Sequence, residues 1–205
     1  MIYGPNGNPL SDVDVQLNHA AKDENTVTNS TGQYSFTTSG VGSVTLAASK
    51  NESAGISKGV DVLDLVEIRK NILSMNPNPL NSPFKVVAAD ANRDASIDVA
   101  ELVSIRKLIL SMQSHFSTDD NEQPKSLWRF LNADFANVSA EDALGQVASH
   151  ETITSETLGG KIITADFIGI KLRDANLDWA QNINREIIFT HSRLEIVHLK
   201  KKIPQ

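Results

Sequence analysis

The stretch Asp90–Met112, DANRDASIDVAELVSIRKLILSM, places Asp90, Asn92, Asp94 and Asp98 within nine residues and then becomes a helix-like run ending at Met112. The three carboxylates among these oxygen-bearing side chains repel one another when ionised. A bound cation is the direct remedy, and the spacing decides how the rest of the chain is read.

With Asp90 as position 1 of a twelve-residue loop, Asn92 falls at 3, Asp94 at 5, Ser96 at 7, Asp98 at 9 and Glu101 at 12. This is the EF-hand order. Side-chain oxygens come from 1, 3 and 5, a backbone carbonyl from 7, a direct or water-mediated ligand from 9, and a bidentate carboxylate from 12. A hard dication of calcium size takes about six to eight oxygens, and a coiled loop with alternate inward side chains provides them locally. The expected ligands are therefore Asp90, Asn92, Asp94, Asp98 and Glu101 through their side chains, and Ser96 through its carbonyl, with Ca2+ as the cofactor. The competing reading is an acidic solvated turn whose Asp98 caps the following helix. Position 6, where φ is positive, is Ala95 rather than glycine, at a cost of about 1 kcal/mol.

Sliding the chain by 37 positions lays VDVLDLVEIRKNILSM (60–75) on IDVAELVSIRKLILSM (97–112). The match at Asp61/Asp98, Val62/Val99, Leu65/Leu102, Val66/Val103 and Ile68/Ile105, with shared RK and ILSM, implies two copies of one loop–helix unit. In the first copy positions 1, 3 and 5 are Ser53, Gly55 and Ser57, so only Asp61 and Asp64 remain as candidate ligands of a second ion. Two carboxylates make no cage unless Asn51, Glu52 or a distant oxygen joins them. The preferred reading is a vestigial loop in which Asp61 caps its helix. A further triplet, Asp174, Asn176 and Asp178, repeats the 1, 3, 5 spacing, but Asn182 and Arg185 stand at its 9 and 12. It reads as a loop with capping side chains, with a weak second metal site as the alternative.

Upstream of the repeat, Val13, Val15 and Leu17 alternate with Asp12, Asp14 and Gln16, and Tyr34 and Phe36 alternate with Gln33, Ser35 and Thr37. That is the period of half-buried strands, continued by Val44, Leu46 and Ala48 and punctuated by Asn6-Gly7 and NSTG (29–32). Residues 1–52 are expected to form a small antiparallel β-sandwich, too small to be comfortably stable alone. Residues 53–114 hold the duplicated loop–helix, whose two helices are separated by Pro77, Pro79 and Pro83 in an extended crossover. Residues 115–179 form an accessory segment, with GGKIITADFIGIKL as a strand pair turning at Gly159-Gly160 and returning a strand to the core. Residues 180–205 are an unassigned tail. The fold class is α+β.

Composition narrows the function. The 205 residues are 40% hydrophobic and carry a net charge of −6, which disfavours a sequence-independent nucleic-acid binder; the basic tail of Arg193, Lys200, Lys201 and Lys202 reads as solvated. No apolar run approaches a membrane span, and no signal peptide opens the chain. The absence of cysteine excludes thiolate metal sites and disulfides. The five histidines show no H-E-x-x-H spacing, and no catalytic constellation emerges. Asp134 and Glu141 are the acid–base pair an enzyme reading would need, and the reading adopted is no enzyme.

The duplicated calcium loop and helix with RK on each copy resembles the dockerin type I domain. GPNGNPLSDVDVQL through STGQYSF is similar to carboxypeptidase regulatory-like (transthyretin-like) β-sandwich domains. The succession over residues 2–178 looks like the C-terminal regions of large secreted bacterial surface proteins, although LRDANLDW and the following tail depart from that pattern. The resemblance implies an extracellular or cell-surface calcium-binding structural or adhesion module. It also implies, as the alternative, a docking module for a cohesin-like protein partner, with Arg69, Lys70, Arg106 and Lys107 near the contact.

Overall fold

The computed structural model describes residues 1–19, 23–36, 42–51, 57–112, 126–155 and 165–179. These residues form a mixed α+β structure of four α-helices and two sheets. The four-stranded sheet runs β3 (Glu24–Val27), β2 (Asp14–His19), β4 (Val44–Ser49), β6 (Thr152–Ser155), antiparallel throughout. The three-stranded sheet runs β1 (Ile2–Tyr3), β7 (Phe167–Lys171), β5 (Trp128–Asn132), with β1 parallel and β5 antiparallel to β7.

The expected alternation sets β2 and β4. Val15 and Leu17 of β2 and Val44 and Leu46 of β4 turn inward, while Asp14 and Gln16 stay exposed. They meet Ile2, Trp128, Phe130 and Phe167 of the other sheet in one apolar cluster. Residues 1–52 are thus not closed on themselves: the facing layer comes mostly from residues after the helices. This follows from the small apolar area a fifty-residue sheet can bury alone.

Tyr34 and Phe36 do not form a strand. The place beside β2 is taken by β3, a polar segment without alternation, and Asn29 turns the chain by accepting from Thr31 N and Gln33 N. Tyr34 instead packs against the inter-sheet cluster and donates its hydroxyl to Ala165 O at 2.6 Å. The expected hairpin at Gly159-Gly160 falls outside the described residues. The described strands on either side of that segment, β6 and β7, join different sheets.

The repeat forms α1 (Val62–Ile72) and α3 (Val99–Ile109). Each begins with a capping box, Asp61 with Asp64 and Asp98 with Glu101. Each ends in the same way: Ser74 and Ser111 take φ of 51° and 54°, and Met75 N and Met112 N reach back to Lys70 O and Lys107 O. Ile68 and Ile105 are fully buried where the helices pack, contributing roughly 2–3 kcal/mol each.

The crossover between them is not wholly extended. Pro83 opens α2 (Pro83–Ala89) at a first-turn position, where its missing N–H costs nothing, and Ser82 caps it. Val86, Val87, Ala88 and Ala89 are buried, so α2 is the central helix that delivers the chain to Asp90. It packs on α4 (Ala143–His150) and on the 3-10 turn Ala133–Asn137. Its Ala88 carbonyl accepts from Arg173 N at 2.6 Å, which brings the end of β7 beside the start of the acidic loop. No helix of the described residues is long and apolar enough to cross a membrane.

Candidate metal centre

The loop after α2 is wound by its own side chains. Asp90 accepts from Asp94 N through Oδ1 (3.1 Å) and from Ala95 N through Oδ2 (3.3 Å), Asn92 Oδ1 accepts from Asp94 N (2.9 Å), and Asp94 Oδ1 accepts from Ser96 N (2.9 Å). The coil requires positive φ at Arg93 (64°) and at Ala95 (63°), the position where glycine was expected to be favoured. Arg93 ties the loop to the sheet below by donating from Nη2 to Ser126 O (2.6 Å) and to Trp128 O (2.8 Å).

Asp90, Asp94 and Glu101 converge, each offering an oxygen within 4.8 Å of the others. Asp90 and Glu101 are buried and Asp94 is exposed, so the cluster has a mouth toward solvent. Glu101 Oε2 accepts from Asp98 N (2.8 Å), whereas its Oε1 is buried and accepts no hydrogen bond. At 4.8 Å, the greatest separation within the group, Asp90 and Glu101, both ionised, repel by about 3.5 kcal/mol at an effective dielectric constant of about 20. Burial holds both carboxyl groups above the usual carboxylate range, and Arg129 opposes the shift at Asp90. A buried acidic group of this kind could hold a metal ion.

The remaining expected ligands are distributed unevenly. Asn92 sits in the loop and donates Nδ2 to Asp94 Oδ2 (2.8 Å). Ser96 follows at the expected place, with its N–H turned to Asp94. Asp98 is exposed and outside the close triad; its Oδ1 caps α3 by accepting from Ala100 N at 2.7 Å. Asp98 thus takes the capping role, while Asp90, Asp94 and Glu101 form the acidic group that could hold a metal ion.

In the first copy, Asp64 is met by a segment from elsewhere in the chain. Ser53 and Gly55 lie outside the described residues. Asp61 caps α1, its Oδ1 accepting from Leu63 N (2.6 Å). Asp64, fully buried, accepts from Asp61 N through Oδ2 (2.8 Å) and from Asn176 N through Oδ1 (3.1 Å). The Asp174–Asp178 triplet thus does not lie apart as a capped surface loop. It meets the start of the first helix, where Asn176 N donates to Asp64 Oδ1.

Its internal bonds repeat those at Asp90. Asp174 accepts from Asp178 N (2.9 Å) and Trp179 N (3.1 Å), Asn176 Oδ1 accepts from Asp178 N (3.0 Å), and Asn176 Nδ2 donates to Asp178 Oδ2 (3.0 Å). Leu177, like Arg93, takes positive φ (62°). Burial, with repulsion from Asp174, pushes Asp64 up to about 7, and burial pushes Asp174 up to about 6. Sequence reasoning singled out both pieces without joining them. The available signal was the near-identity of DANRD (90–94) and DANLD (174–178).

Arg69, Lys70, Arg106 and Lys107 are all exposed in the last turns of α1 and α3, where they complement the helix dipoles. Large apolar side chains stand exposed at equivalent places of the two copies: Val62 and Val99, Val66 and Val103, Leu73 and Leu110. Asp134 and Glu141 are exposed on the opposite part of the chain sequence, in the 3-10 turn and before α4. Comparison with known proteins found no matching family model, no matching curated protein and no matching solved structure.

Proposed function

We propose that this chain is a non-catalytic, calcium-binding structural module of a larger secreted or surface protein, in which the ion stiffens the junction of the helix pair and the sheets. The carrying observation is the Asp90–Asp94–Glu101 cluster, with Glu101 Oε1 buried and without a hydrogen-bond partner. The donors are all oxygens: carboxylates, the Asn92 amide, and the loop carbonyl at Ser96. Such a set suits a hard dication, and a flexible loop with a bidentate carboxylate favours calcium over the strictly octahedral magnesium. The secreted or surface setting and the dockerin-like kinship rest on the sequence resemblance. The test is thermal unfolding of the full chain in chelator and in millimolar calcium. Calcium should raise the melting temperature, and identical curves would overturn the reading.

A second reading, docking to a cohesin-like or other surface protein, is favoured by the paired exposed side chains of α1 and α3. Two near-identical stripes of apolar and basic residues offer pseudo-equivalent faces. Reversing Arg69 and Lys70 to Glu should weaken binding of a partner recovered from the native source, less so at high salt because screening acts on exposed charges. Undiminished binding after reversal of all four basic residues would remove this surface from the account.

A further inference from the structure

We infer that Arg93, itself no ligand, positions the acidic loop for its ion by fastening it to the open edge of β5, so that ion binding and the order of that edge are coupled. The inference rests on the calcium reading of the Asp90 loop and names a residue that sets its affinity from outside the ligand set.

Strand pairing explains what Arg93 holds. β5 is the last strand of its sheet, bonded to β7 on one side. Leu127 O accepts from Leu172 N, so in an extended chain the carbonyls of Ser126 and Trp128, one residue to either side, face away from β7. Carbonyls on an unpaired edge need donors from elsewhere. Arg93 supplies them: its Nη2 alone donates to Ser126 O at 2.6 Å and to Trp128 O at 2.8 Å. Ser126 extends the link, because its Oγ accepts from Trp128 N (3.1 Å) and donates to Lys50 O (3.1 Å), the residue that follows β4. Arg93 therefore acts where the two sheets meet.

The loop is wound so as to aim this side chain. Arg93 stands between Asn92 and Asp94 and takes φ of +64°, a left-handed conformation unfavourable for a residue with a Cβ. A glycine would make the turn without that cost, but it would leave both carbonyls without their donor. The segment DANLD (174–178) is wound by the same bonds, with Leu177 at the place of Arg93 and φ of 62°. Leu177 packs against the helical core. In both windings the fourth side chain is directed into the body of the protein, and the residue there matches what it meets: leucine on an apolar surface, arginine on carbonyl oxygens.

A coupling follows. Repulsion among Asp90, Asp94 and Glu101 opens the empty loop, and the bonds of Arg93 oppose that opening, so part of the ordering is in place before an ion arrives. The coupling is reciprocal: an ion that keeps the loop closed also keeps Arg93 on the edge, and with it Trp128. The Trp128 ring is buried and stands edge-on to that of Trp179, with centroids 4.9 Å apart, so near-ultraviolet circular dichroism, which reads fixed aromatic packing, reports on this junction.

The test is calorimetric titration of calcium into the full chain, paired with near-ultraviolet circular dichroism, for the wild type, Asp90→Asn, Arg93→Met and Arg93→Lys; far-ultraviolet spectra show that each is folded. The wild type should bind calcium saturably and change its aromatic signal, and Asp90→Asn should lose both responses. Arg93→Met removes the donors and leaves the ligands, so it should still bind, with Kd raised about tenfold or more and the aromatic change abolished. Arg93→Lys restores a cationic donor and should recover part of the affinity and part of the signal. Should Arg93→Met not fold, Arg93→Gln, shorter and neutral, takes its place with the same expectation. An Arg93 variant that melts lower but keeps the wild-type Kd and the wild-type aromatic change would show a merely structural side chain, overturning this inference and leaving the ion site standing. No saturable binding in the wild type, or binding that Asp90→Asn leaves unchanged, would overturn the loop site and the inference with it.

Discussion

Replacing Glu101 by Gln separates the metal-holding role of this residue from its structural one. The amide keeps the shape and retains an oxygen to accept the Asp98 N–H, so the capping box of α3 survives. It removes the charge beside Asp90 and with it the bidentate carboxylate. In chelator, where the ionised form of Glu101 is disfavoured by burial, the variant should melt at or slightly above the wild-type temperature. In calcium the order should reverse. An ion at about 100 times its Kd stabilises the native state by about 2.7 kcal/mol. For a protein of this size that corresponds to a rise of roughly 5–10 °C in Tm. If Gln lowers affinity about a hundredfold, the remaining gain at the same calcium is about 0.4 kcal/mol, a rise near 1 °C. The assay is paired scanning calorimetry of both proteins with and without chelator. An equal calcium-induced rise in the variant, or an equal loss of stability under both conditions, would refute the assignment of Glu101 as a ligand.

Ala95→Gly should relieve the left-handed backbone cost at φ 63° and stabilise the calcium-loaded protein by about 0.5–1 kcal/mol; a destabilisation on denaturant titration would contradict the strain argument. Gly169→Ala should destabilise by about 1–3 kcal/mol, because the added methyl group meets Leu10 and Phe130 in the packed inter-sheet cluster, and an unchanged urea midpoint would show that this core is looser than described. In chelator, stability should fall as pH rises from about 4 to about 7. Asp64, raised from 3.8 to about 7, keeps its proton in the native state where the unfolded chain has lost it, so the native state binds more protons across that window and the contribution is gone above it. Asp64→Asn should flatten the slope, and an unaltered slope would place its origin elsewhere.

The parts legible in the sequence are those whose information is local. A strict period of two fixed β2 and β4, and the 37-residue repeat marked α1 and α3 together with their caps. Asp90, Asp94 and Glu101 could be read because one loop and the first turn of its helix hold all three. What escaped depends on partners distant in the chain. β3 and β6 are polar edge strands, Glu24–Val27 and Thr152–Ser155, whose form comes from pairing with β2 and β4 rather than from a pattern of their own. Tyr34 and Phe36 alternate as a strand would, yet the edge they would have occupied is filled. Pro83 read as a breaker, and it breaks the chain only before α2, not within it. Asp64 and Asp174 were legible only separately, because the contact between their segments, through Asn176, is tertiary.

The central claim, that the Asp90–Asp94–Glu101 cluster is a calcium site, is tested most directly by equilibrium dialysis of the full chain against radioactive calcium, with about 1 mM magnesium present as competitor. The account expects saturable binding that persists in magnesium and is lost in Asp90→Asn. Binding that does not saturate, or saturable binding unchanged by Asp90→Asn, would contradict it.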